Sequence, residues 1–202
     1  MFRGFRIVPS CHPDGTGGAR PPSSPAPDPP ERPPSVLLAQ LTARVRLPAV
    51  VLGVGNDLRG DDAFGLEAVR LLSSRGPIPG VTVLEVGVSP EGFAERVARE
   101  SPRIIVVLDA ARMGGAPGEL RLIEPGDLGW DFAGGTHAPS LELLSRYLAE
   151  RCGAEVLLLA AEPERTGLGE EMTPRLCEAA SLAAEILREA FLRASGWDSA
   201  GT

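Results

Sequence analysis

What the chain lacks narrows the reading first. Excess positive charge is missing: the 202 residues carry a net charge of −7, so neither nucleic acid nor an anionic membrane finds the clustered Lys and Arg it needs. Cysteine is scarce. Cys11, Cys152 and Cys177 make no metal-ligand spacing and leave one unpaired in any disulfide scheme, which points to a reduced, cytoplasmic protein. No apolar run reaches the ~18–20 residues of a membrane span. Arg3, Arg6, Pro9 and His12 interrupt any hydrophobic leader, so no secretion signal is expected. Aromatics are only 4%, and the core must therefore be built from Val, Leu, Ile and Ala. Gly-x-Ser-x-Gly does not occur, and Cys152 and Cys177 read as small core residues, which argues against a side-chain nucleophile.

Proline, by contrast, is concentrated. Half of the 20 prolines fall between Pro9 and Pro34, among Ser, Gly and Asp. Such a segment buries too little apolar surface to offset its ordering entropy. Residues 1–44 are accordingly expected to be a disordered extension, with Cys11-His12 incidental. Residues 45–196 form the domain and 197–202 a flexible tail.

From Leu47 the pattern is regular. A buried run, Ala49 to Leu52, leads into Gly53-Val54-Gly55-Asn56, then a helical pattern from Ala63 stops at Arg75-Gly76-Pro77. Val81–Val86, Arg103–Leu108 and Val156–Ala160 read as further strands, the middle one apolar enough to be covered on both faces. Pro117–Glu124 alternates and suits an edge. Helices are expected after Ser89-Pro90, from a Ser140 cap to about Arg151, and from Thr173-Pro174 to Gly196, where Leu176, Ala180, Ala183, Leu187 and Phe191 form a core stripe. Strands alternating with helices predict a single three-layer α/β domain. Its sheet is mostly parallel, twisted and flanked by helices, with room for one antiparallel edge strand.

The turn after the first strand carries the chemistry. Gly53-x-Gly55 invites comparison with a dinucleotide loop, but Leu58 stands where its third glycine belongs. Asp57, Asp61 and Asp62 would also face the pyrophosphate, at a cost of about 1–4 kcal/mol for one like-charge contact at 4 Å. Glu85 is about thirty positions on, not the roughly twenty expected of a ribose-binding acid. A cation suits this turn better. Asp109 ends the central strand on the same sheet edge, and His137, the domain's sole histidine, enters a helix there. Two carboxylates and an imidazole suit zinc or nickel, with positions left open. The bland alternatives are that Asp61 or Asp62 caps the next helix, that Asp109 binds turn amides, and that His137 is an exposed loop residue.

Together these residues resemble the hydrogenase maturation endopeptidases. Gly53-x-Gly55-Asn56-x-Leu58-x-x-Asp61-Asp62-x-x-Gly65 resembles the family's opening motif, and Leu108-Asp109-Ala110 with Pro117-Gly118 its second. Thr136-His137 and Glu162-Pro163, Gly167 and Thr173-Pro174 resemble the later ones. The resemblance implies a protease that removes a C-terminal extension from the nickel-loaded large subunit of a nickel-iron hydrogenase. Asp62, Asp109 and His137 would be its catalytic and metal-contacting residues. Nickel would be carried by the substrate, with zinc or cadmium able to replace it in vitro. The partner would be the large-subunit precursor and the protease a monomer. A non-proteolytic, metal-sensing chaperone of the same fold is the alternative, with a nucleotide-binding oxidoreductase behind it. Asp57 has no role in this reading.

Overall fold

The computed structural model describes residues 34–124 and 138–196. Its centre is a five-stranded sheet: β1 (Ala49–Val54), β2 (Val81–Gly87), β3 (Ile104–Ala110), β4 (Leu120–Ile123) and β5 (Glu155–Ala161), in the order β2-β1-β3-β5-β4. The first four in that spatial order are mutually parallel; β4 pairs antiparallel with β5, with Leu120 opposite Ala161. The half-exposed alternation of Pro117–Glu124 is thus an antiparallel edge, and the expected α/β sheet is present.

Side-chain alternation along the strands builds two cores. Val51, Val106 and Leu157 join α2 (Phe64–Ser74) and α5 (Pro174–Ser195) on one face. Val50, Ile105 and Leu158 join α3 (Ala94–Arg99) and α4 (Ala138–Cys152) on the other. Helices on both faces give the three layers. β1 and β3 are buried at every position, as a central parallel pair must be.

Two expectations need correction. The segment expected to be disordered through residue 44 ends in a helix, α1 (Pro34–Arg44), whose Leu37 and Leu41 are buried in the core shared with α5. Pro34 occupies its first position, where proline's missing N–H is not needed. Arg44 then ties the helix to the sheet edge: its Nη1 donates to Glu124 at 2.8 Å, and its guanidinium also pairs with Glu155. Proline content concealed SVLLAQL, a short apolar stretch whose order depends on docking against α5. Ser140, expected as a cap, is instead the third residue of α4, which starts at Ala138. Residues 1–33 and 197–202, expected as extension and tail, lie outside the described residues.

Chain direction sets the ligand edge. From β1 the chain passes through α2 to β2 on one side, then through α3 to β3 on the other. The carboxyl ends of β1 and β3 therefore flank a topological switch point, where open α/β sheets keep their ligand crevice.

Candidate active site

Both predicted acids of the described chain stand at that switch point. Asp109 is the penultimate residue of β3. Asp62 lies in a short 3-10 helix, Gly60–Ala63, that precedes α2. Glycines make the approach possible. Gly55, at φ +138°, packs its Cα against the Asp62 carbonyl, and Asn56 N–H donates to the same oxygen at 3.1 Å. Gly65 sits against the carbonyls of Val54 and Leu108, and Gly53 against the Gly65 carbonyl; a Cβ at any of these three would collide with backbone. The Gly-x-Gly pair therefore receives the protein's own main chain rather than a pyrophosphate. Glu85, the would-be ribose acid, is engaged by Arg70 Nε at 2.9 Å.

Both acids of the pair are buried. Asp62 is 5% exposed and Asp109 4%. Burial, with the Asp62 charge adding to it, pushes the Asp109 carboxyl up to about 8, against the opposing hydrogen bond from Ala110 N–H to its Oδ1 at 2.9 Å. Two buried carboxyls that feel each other's charge disfavour joint ionisation, so one of them tends to hold its proton. His137 lies outside the described residues, as do Trp130 and Phe132; the described chain resumes at Ala138, the first residue of α4. Among the described residues no group of three metal-ligating side chains occurs.

Two buried acids beside this pair were not anticipated as anchors. Asp61 does not cap α2; its carboxylate is bonded to the loop after β5. Glu162, at the end of β5, accepts from Met113 N–H at 2.5 Å and Gly115 N–H at 3.1 Å, fixing the loop that follows Asp109. Both stand in motifs quoted from the sequence, but their anchoring role was not legible there, because their partners lie distant along the chain. Asp57 also acquires a role: both its oxygens accept from Arg70, at 3.0 and 2.8 Å, joining the turn to α2 and β2. Burial raises the Cys152 thiol pKa, leaving it protonated and a weak nucleophile.

Comparisons with known proteins bear on the family and the fold. The family described as hydrogenase maturation protease matches residues 66–190, a stretch that contains Asp109 and His137 and begins just after the Asp62 turn. The hydrogenase 3 maturation protease of Escherichia coli K12 is 31% identical over 153 residues, covering 75% of this chain and 92% of the relative. Among solved structures, the NiFe hydrogenase maturation protease HycI of Thermococcus kodakarensis aligns with TM-score 0.68 at 33% identity, over 77% of this chain and 98% of that one. The hydrogenase maturating endopeptidase HybD of E. coli aligns at 0.62 and 25% identity, over 73% and 93%.

Proposed function

The chain belongs to the hydrogenase maturation protease family, and we propose that its acid pair reads a metal carried by the substrate. It is an endopeptidase that processes the C-terminus of a hydrogenase large-subunit precursor. In our reading the precursor presents nickel on its own thiolates, and Asp62, Asp109 and His137 complete the coordination. Zinc or cadmium would replace nickel in vitro, being similarly suited to mixed O/N ligands.

One observation carries this reading. Asp62 and Asp109 are both buried at the sheet's switch point, within reach of each other's charge, an arrangement that favours a bound cation. Docking the metal there fixes the scissile peptide at near-attack distance, and a water activated at the site attacks the carbonyl. Cleavage then frees the C-terminal peptide, while the metal leaves with the matured subunit. In our reading the protease works as a monomer, and the scarce, oddly numbered cysteines fit a reducing cytoplasm; among the described residues no helix is long and apolar enough to cross a membrane.

The test is to mix the protein with nickel-loaded and metal-free precursor and weigh the product. Loss of a C-terminal peptide from the loaded form alone is expected. Asp62→Ala, Asp109→Ala and His137→Ala should each abolish it in folded protein. Full cleavage by Asp62→Ala would remove this site from consideration, and binding without any mass loss in the wild type would make the protein a checkpoint chaperone instead.

A further inference from the structure

Asp61 is fully buried, neighbours a site acid and plays no part in the chemistry above. Its Oδ1 accepts from Thr173 N–H at 2.7 Å and the Thr173 hydroxyl at 2.8 Å. Its Oδ2 accepts from Glu164 N–H at 2.8 Å and Arg165 N–H at 3.0 Å. Four donors fill what an ionised carboxylate can accept. Main-chain bonds run between the same two segments: Asp61 N–H to Arg165 O at 2.9 Å, Gly60 N–H to Glu170 O at 3.0 Å, and Gly169 N–H to Leu58 O at 2.7 Å. The turn from Leu58 to Asp62 is thus sewn to the loop between β5 and α5. A four-residue 3-10 helix has poor internal bonds and little stability of its own. Its geometry comes from this stitching.

We propose that Asp61 is a positioning residue for Asp62. By drawing the loop after β5 onto the turn, it sets the orientation in which Asp62 meets Asp109 and the incoming metal. A neutral amide at position 61 keeps one acceptor oxygen for the Glu164 and Arg165 N–H groups but turns its NH2 toward Thr173, whose hydroxyl can rotate to accept while its N–H loses its partner. Misplacing a site acid by about 1 Å costs on the order of 100-fold in rate. The inference rests on the metal-reading function proposed above, and the experiment separates the two.

Asp61→Asn, Thr173→Ala and Thr173→Ser are compared with wild type for cleavage of nickel-loaded precursor, for affinity toward loaded and metal-free precursor, and for melting temperature. Asp61→Asn should lower kcat about 100-fold and bring the loaded-to-unloaded affinity ratio toward one. Thr173→Ala, which removes one of four donors, should lose part of both, and Thr173→Ser, which restores the hydroxyl, should recover them. A folded Asp61→Asn protein with wild-type kcat and ratio overturns the inference. If Asp61→Asn does not fold, wild-type kcat and ratio in Thr173→Ala overturn it. Should the wild type cleave both precursor forms alike, the nickel reading falls, and kcat alone decides Asp61: a loss at unchanged KM supports the inference, no loss overturns it.

Discussion

The four buried acids of the carboxyl edge divide by what their oxygens meet. Asp61 and Glu162 accept backbone N–H groups and hold loops; Asp62 and Asp109 repel one another at the site. The sign of that repulsion gives two predictions. The Asp109 carboxyl is raised from an ordinary 3.8 to about 8, so its contribution to stability is full below pH 4 and lost as pH climbs through 8. Asp109→Asn, which imitates the protonated form, should raise the melting temperature at pH 8 by on the order of 5 °C, and by less at pH 5, while ending cleavage. A thermal melt at the two pH values checks this. In the proposed reading, a docking metal displaces the Asp109 proton. Affinity for the loaded precursor should therefore rise about tenfold per pH unit between pH 5 and 7 and level off above 8, measurable by titration calorimetry. That Asp62 and Asp109 would stand at one sheet edge was legible in the sequence, because one lies in the turn after β1 and the other near the end of β3. The duties of Asp57 and Asp61 were not, since Arg70 and Thr173 become their partners only after folding.

Between helix and strand, contact distance is set by glycine. Gly65 lets α2 begin directly over the carbonyls of Val54 and Leu108, the last turns of the two strands that carry the site. Gly65→Ala must push these apart and should cost about 3 kcal/mol in urea unfolding, with cleavage falling further than stability accounts for. The spacing of the three motif glycines was visible in the sequence; that each one meets backbone was not. α1 teaches the opposite lesson. Its Leu41 is fully buried in the core shared with α5, so Leu41→Ala should cost about 2–5 kcal/mol. A mutation in a disordered extension would leave unfolding unchanged, so the same measurement tests the corrected boundary. Composition misplaced that boundary because averaging over prolines hides one amphipathic turn pair, whose counterpart is supplied only by α5 packed against it.

Taken as one molecule, the protein is a switch-point enzyme: the strand order β2-β1-β3-β5-β4 parts the loops after β1 and β3, and the acids line the parting. The sequence by itself determined the α/β class, the strands and their approximate ends, the edge position of β4 and the family, because periodicity and glycine spacing are local properties of the chain. Tertiary structure decided the rest: that Asp62 and Asp109 are buried within reach of each other's charge, that Asp61 and Glu162 anchor loops, and that α1 belongs to the domain. These depend on residues distant along the chain becoming neighbours, and a carboxylate's task is fixed by the groups that surround it.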